Sequence, residues 1–223
     1  METSTDDIPL ATRVREAVAH GSNVQEAVRR LTLEALSAHN LNLESIRSIM
    51  QAVVQGAREG IEPQLQQTAN AALAAQVRIK EAVAGLDAAL AQFAEASRLA
   101  LEEAAGRAQR FSTADLARTR ADLEALETLF VETLRNSAAA AKGFTAETLH
   151  ELGEHARRTR TAVGEQVKTT LATFSQQMGA VTQAQLASGV ELARATSDMV
   201  RQIAAGMLSG LAERIKPDGK KET

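Results

Sequence analysis

Proline spacing constrains this fold more than any other feature of the sequence. The 223 residues contain three prolines, Pro9, Pro63 and Pro217. A proline inside a helix removes a hydrogen bond and clashes with the preceding turn, so helices tend to begin or end beside one. Nothing between Pro63 and Pro217 forbids helix, and the most frequent residue, Ala, is the strongest helix former. We therefore predict an all-α protein.

The first 60 residues carry signals for short helices. Ser22 followed by Gln25 fits a capping box, and Asn42 can cap the apolar series that starts at Leu43. These signals predict a short-helix N-terminal region at residues 10–60, after a disordered tail at 1–9. Its helices are expected at about residues 10–20, 23–39 and 43–60.

The remaining chain predicts a long-helix bundle at residues 62–216, followed by a disordered tail at 217–223. Apolar residues recur there in steps of three, four or seven, as on one face of a helix. The similar strings FSTADL and FTAETL, starting at Phe111 and Phe144, each resemble a helix start, and Gly143 adds a stop signal before the second. We expect helices at about 62–110, 113–141 and 146–215.

These lengths predict an elongated antiparallel helical bundle or coiled coil of long amphipathic helices. A hairpin or three-helix arrangement fits if the last helix is continuous. The last helix contains several glycines, however, and a turn near Gly179 would split it and give a four-helix bundle.

Composition excludes several kinds of site. The net charge is −3, and Lys and Arg are scattered among Asp and Glu, so no nucleic-acid partner is indicated. Cysteine is absent, which removes disulfides, thiolate metal sites and cysteine nucleophiles. We predict no catalytic, cofactor-binding or metal-binding residues, and hence a protein that is not an enzyme.

Two local patterns could suggest chemistry, and both are better explained by a solvated helix face. Glu147 and His150 have the E-x-x-H spacing of di-iron bundles, but the inward face is predicted at Leu149, so both should point outward. The basic segment HARRTR, which begins at His155, could hold a phosphate or an anionic lipid head group. Glutamates border it on both sides, so it fits a solvated face.

Partners and location follow from the thin, Ala-rich helices. A bundle with no Trp or Tyr and five Phe leaves apolar stripes uncovered, so we expect a homo-oligomer, either a dimer or a tetramer. The N-terminus lacks a secretory signal, which predicts a cytoplasmic protein. The longest uncharged run, Thr169 to Val190, is too polar for a transmembrane segment.

One segment near the C-terminus has a broad apolar face that could bind a partner. The spacing of Gly206 and Gly210 lets two helices approach closely, and the face could instead lie in a lipid or polymer boundary. Packing inside the protein remains an alternative. We define this C-terminal face by its candidate binding residues, Val200, Ile203, Met207, Leu208, Leu211 and Ile215.

Residues 62–216 resemble bacterial phasins, the helical proteins that coat polyhydroxyalkanoate granules. The resemblance lies in composition and in runs such as FAEASRLALEEAAGRAQRF, from Phe93 to Phe111. Residues Ala82 to Phe130 also resemble an uncharacterised proteobacterial family of helical proteins. The resemblance implies a non-enzymatic, self-associating protein that coats a hydrophobic surface such as a granule or lipid boundary. A soluble coiled-coil module that binds another protein is the alternative.

Overall fold

The prediction of an all-α fold is confirmed. The computed structural model describes residues 8–38, 42–65, 69–106, 113–159 and 161–188. Within these ranges the chain forms seven helices and no strand. The helices are α1 (Leu10–His20), α2 (Val24–Ala38), α3 (Leu43–Leu65), α4 (Ala69–Gly106), α5 (Thr113–Ala140), α6 (Gly143–Arg158) and α7 (Ala162–Ser188).

Two of the three N-terminal helices, α2 and α3, are capped by an asparagine, whereas α1 starts after Pro9 without a side-chain cap. The Ser45 backbone N–H donates to Asn42 Oδ1 at 2.8 Å, as the sequence predicts. For α2 the predicted cap at Ser22 is wrong, because the Glu26 N–H donates to Asn23 Oδ1 at 3.1 Å. An Asn side chain at this position satisfies an orphan N–H as well as Ser does, so the cap moves by one residue.

The long helices differ from the prediction in three places. Pro63 lies in the last turns of α3, which ends at Leu65, so the next long helix starts at Ala69 and not at 62. The predicted helix 146–215 begins earlier, at Gly143, and is interrupted between α6 and α7. The backbone of α7 stays helical through Gly179, so the turn that would give a four-helix bundle there is absent.

The helices form a bundle in which α4 contacts both halves. α1 packs on α3, α2 packs on α4, and α3 also packs on α4. Farther along the chain, α7 packs on α4 and α5, while α5 and α6 form a hairpin. α4 has 38 residues and is about 57 Å long at 1.5 Å per residue. Gly85, near the middle of α4, contacts α2, and the contact with α7 includes Asp87.

Glycine lets two helix pairs, α1–α3 and α2–α4, approach closely. A Cβ on Gly56 would lie 2.3 Å from the Ala11 carbonyl oxygen, and one on Gly60 would lie 2.7 Å from that of Arg15. The two glycines therefore meet α1 in chain order, which makes α1 and α3 parallel. Gly85 of α4 likewise lets α2 approach closely, because a Cβ on Gly85 would lie 2.4 Å from the Gln25 carbonyl oxygen.

Candidate functional site

The predicted C-terminal face lies outside the described residues, which end at Ser188. The structure therefore does not test Val200, Ile203, Met207, Leu208, Leu211 or Ile215. What it does describe is α7, the helix that leads into this segment, and the surfaces around it.

The E-x-x-H pair on α6 points away from the core. Glu147 and His150 are both exposed, while the neighbouring Thr148 and Leu149 are buried. The solvated face predicted for this pair is confirmed. In the part of the chain that the structure describes, no group of three or more His, Asp or Glu side chains is placed to hold a metal ion.

A polar junction lies where α6 ends and α7 begins. Thr159 and Thr161 flank the break, and Thr161 caps α7 by accepting a hydrogen bond from the Gly164 N–H at 3.0 Å. The Thr161 hydroxyl in turn donates to Glu127 Oε1 of α5 at 3.3 Å. The break is therefore a built helix start, held by side chains from a neighbouring helix.

Asp87 of α4 holds the same helix start from the other side. Its two carboxylate oxygens accept hydrogen bonds from the backbone N–H groups of Ala162 and Val163, each at 2.9 Å. A carboxylate at a helix N-terminus satisfies orphan donors and complements the helix dipole. Burial raises the pKa of Asp87 above its ordinary value, and the two backbone hydrogen bonds partly offset that rise.

Polar contacts between α4 and α7 continue down the interface. The hydroxyl of buried Thr170 lies 3.0 Å from the Ala94 carbonyl oxygen and 2.9 Å from that of Gln166, and it can donate to either. The Gln166 amide donates to Glu95, and Arg98 also binds that carboxylate. These contacts, with the Arg98 hydrogen bond as the largest cause, hold the pKa of Glu95 below its ordinary value.

The described part of α7 contributes an apolar row to its buried side. Val163, Val167 and Phe174 are the large side chains of α7 that are buried among its described positions. The described interface therefore combines an apolar row with hydrogen bonds that span two helices.

The basic segment of α6 is partly neutralised by one glutamate. Arg157 and Arg158 of α6 and Arg135 of α5 all lie within 3.6 Å of the Glu154 carboxylate. Hydrogen bonds from Arg157 and Arg135 lower the pKa of Glu154 to about 2. The three arginines are exposed by half or more, so this cluster is a solvated surface.

Large apolar side chains are exposed at the start of α4. Leu73 is 62% exposed and Val77 is 54% exposed, one helical turn apart. Exposed apolar side chains that adjoin one another mark surfaces that bind something, more often than scattered ones do. None of the helices in the described ranges is long and apolar enough to cross a membrane.

Sequence reasoning missed the two most specific features of this region. The capping role of Thr161 was hidden because the threonines lie between Gly153 and Gly164 in a stretch with helical periodicity and no Pro. Asp87 lies within a long helix, and its partner is 75 residues away along the chain. Only the fold brings the two together.

Comparisons with known proteins identify a family without assigning an activity. A model described as "Family of unknown function (DUF6781)" matches residues 1–217, which is nearly the whole chain. No curated protein and no solved structure matches the sequence.

Proposed function

Because this chain belongs to the DUF6781 family, whose function is unknown, we propose a function from its own residues. It is a non-enzymatic, self-associating helical protein that coats a hydrophobic surface, such as a polyhydroxyalkanoate granule or a lipid boundary. The resemblance of residues 62–216 to phasins supports this proposal.

The C-terminal face of the sequence carries the proposal. Its six residues recur so that a helix would present them on one broad side, while Gln202 and Ser209 would fall on the opposite side. A helix with this pattern binds a hydrophobic boundary by burying its apolar side and leaving its polar side in water.

The experiment is flotation of the purified full-length protein with liposomes and, separately, with polyhydroxybutyrate particles. We expect flotation to weaken strongly in a double variant, Leu208→Asp with Leu211→Asp. The matched control is Gln202→Asp with Ser209→Asp, which adds the same charge on the opposite side of the segment and should float like wild type.

Circular dichroism keeps the result interpretable, since both double variants should retain the wild-type helix content. Equal loss of flotation in both would argue against the C-terminal face as the binding surface. Wild-type protein that stays at the bottom with both particles would reject surface coating and favour the soluble protein-binding module.

A further inference from the structure

The break between α6 and α7 has no glycine or proline to explain it. α6 ends at Arg158 and α7 begins at Ala162, and neither residue type occurs between them. Periodicity alone predicts one helix through this point. The structure instead shows Thr159 in an extended conformation, with φ −110° and ψ 147°. Without glycine or proline, a helix is bent where a side chain takes over part of its hydrogen-bond ladder.

Asp87 takes the donors that would otherwise join the two helices. Its carboxylate accepts hydrogen bonds from the N–H groups of Ala162 and Val163, each at 2.9 Å. In an unbroken helix these N–H groups would donate to the carbonyls four residues earlier, those of Arg158 and Thr159. Each N–H has a single hydrogen, so the carboxylate of α4 and the continuous helix compete for the same donors.

Two further side chains support the broken arrangement. Thr161 accepts a hydrogen bond from the Gly164 N–H at 3.0 Å, and its hydroxyl donates to Glu127 of α5 at 3.3 Å. Gly164 leaves room for that glutamate, because a Cβ on Gly164 would lie 2.3 Å from Glu127 Oε1. The first three N–H groups of α7 therefore all bind side chains, and two of the three bind α4.

The break and the contact of α7 with α4 depend on each other. α6 lies mainly on α5, whereas α7 lies mainly on α4. The α4–α7 contact includes Asp87 and continues to Thr170, whose hydroxyl lies 3.0 Å from the Ala94 carbonyl oxygen. Joining α6 and α7 would turn the N–H groups of Ala162 and Val163 into the helix ladder, and the start of α7 would leave Asp87.

We propose that the α6–α7 junction is a two-state hinge, and that Asp87 selects its broken state. In the broken state the carboxylate of α4 holds the start of α7. In the continuous state α6 and α7 form one helix, and the same N–H groups bind backbone carbonyls. Conformational change in proteins commonly uses such elements with two discrete arrangements. Any use of the hinge at a hydrophobic surface rests on the proposed function, whereas the hinge itself does not.

The ¹³C chemical shifts of Thr159 test the hinge, because they differ between extended and helical backbone. Full-length protein labelled at threonine is measured by NMR without lipid or polymer, and loss of a signal in Thr159→Ser identifies Thr159. We expect extended shifts in wild type and a displacement toward helical values in Asp87→Ala. The matched control, Glu81→Ala, removes another carboxylate of α4 and should keep the wild-type shifts.

A proline at the start of α7 distinguishes a continuous helix from a frayed one. Proline fits the first position of a helix but cannot continue one, because it lacks an N–H and clashes with the carbonyl four residues earlier. Adding Ala162→Pro to Asp87→Ala should therefore return the Thr159 shifts to extended values. Helical shifts that persist in this double variant would contradict the hinge.

Hydrogen exchange at Val163 separates the hinge from a simple cap. In the continuous helix this N–H changes its acceptor and stays bonded, so its exchange rate in Asp87→Ala should remain within several-fold of wild type. Thr159 shifts that stay extended in Asp87→Ala would overturn the proposal. Much faster exchange at Val163 would then identify Asp87 as a cap and nothing more.

Thr161→Ala tests the hinge from the other side and leaves α4 intact, in case Asp87→Ala does not fold. It removes the acceptor of the Gly164 N–H and the contact with Glu127, and it raises the helix propensity at the break. The Thr159 neighbour should again shift toward helical values, and unchanged shifts would count against the hinge. If flotation fails while these shifts move, surface coating is wrong and the hinge stands; the converse result rejects only the hinge.

Discussion

The contacts α1–α3 and α4–α7 are both made between parallel helices, yet different atoms hold them together. α1 and α3 meet at Gly56 and Gly60, where backbone approaches backbone and no Cβ fits. α4 and α7 meet through Asp87, Thr170 and a few apolar side chains of α7. The α1–α3 contact requires that residues 56 and 60 have no Cβ. The α4–α7 contact instead requires the carboxylate of Asp87 and the hydroxyl of Thr170.

The two contacts should therefore tolerate different kinds of change. Added volume should damage the α1–α3 contact, because close-packed backbone cannot move aside. Lost side chains and changes of pH should damage the α4–α7 contact, because its hydrogen bonds require particular donors, acceptors and charges.

Phe174→Ala should have the largest effect and act mainly on the second contact. Phe174 is fully buried, and truncation of such a side chain costs about 3–5 kcal/mol. We expect hydrogen exchange to show that α7 loses protection while α1 and α3 keep theirs. Ser175→Ala, at the exposed neighbouring position, should leave the exchange pattern unchanged. Equal loss of protection in all helices would show that the two contacts unfold as one unit.

Gly56→Ala should damage the first contact. The new Cβ would lie 2.3 Å from the Ala11 carbonyl oxygen and 2.9 Å from Val14 Cβ. We expect a loss of about 1–3 kcal/mol in the free energy of unfolding, measured by urea denaturation, despite the higher helix propensity of Ala. In the control, Gly153→Ala, the nearest atom would be 3.6 Å away, so stability should stay level or rise by up to about 1 kcal/mol. Similar values for the two variants would refute the close-approach account.

Thr170→Val should weaken the second contact by a smaller amount. Val has nearly the same shape but cannot donate to the Ala94 carbonyl, so about 0.5–1.5 kcal/mol of stability should be lost. Thr169→Val is a matched control, because the Thr169 hydroxyl is exposed and binds only the Glu165 carbonyl of its own helix. Urea midpoints of the two variants measure the difference, and a Thr169→Val loss as large as that of Thr170→Val would deny any role for the cross-helix bond.

The pH dependence of Asp87 should give the smallest effect. Burial raises the pKa of Asp87 above 3.8, so the folded protein binds this proton more tightly than the unfolded chain does. The stabilisation from protonation is present below the unfolded pKa and is lost as the pH rises through the folded pKa. The stability of wild type relative to Asp87→Asn should therefore fall as the pH increases above about 4.

Urea denaturation of both proteins across this pH range provides the measurement. The comparison isolates Asp87 from Glu95 and Glu154, whose lowered pKa values act in the opposite direction in both proteins. A difference that does not change with pH, or that grows in favour of wild type, would show that Asp87 is not penalised by burial.

Local signals in the sequence predicted most of the helices, because their causes lie within a few residues. Asn42 caps α3 as predicted. α5 starts at Thr113, inside the FSTADL string that predicted a helix start. Gly143 adopts a φ of +54°, which a glycine permits without strain, and it marks the change from α5 to α6.

The features that sequence reasoning missed depend on partners far along the chain. The interruption before Ala162 requires Asp87 and Glu127 to supply hydrogen bonds from two other helices. The role of Gly56 and Gly60 has no local signal in the sequence, because it appears only once α1 lies against them. For the candidate site, the C-terminal face stays a prediction from the sequence, and only the fold shows that Leu73 and Val77 are exposed at the start of α4.

The continuous α4 imposes a rule on how the length of this protein can vary. Gly85 faces α2 and Asp87 faces the start of α7, so one helix sets the angle between the two contacts. Insertion of one residue between these positions would rotate one contact relative to the other by about 100°, whereas insertion of four residues would leave a rotation of only about 40°. Homologous chains should therefore keep the spacing from Gly85 to Asp87 constant and gain or lose residues in the connections between helices.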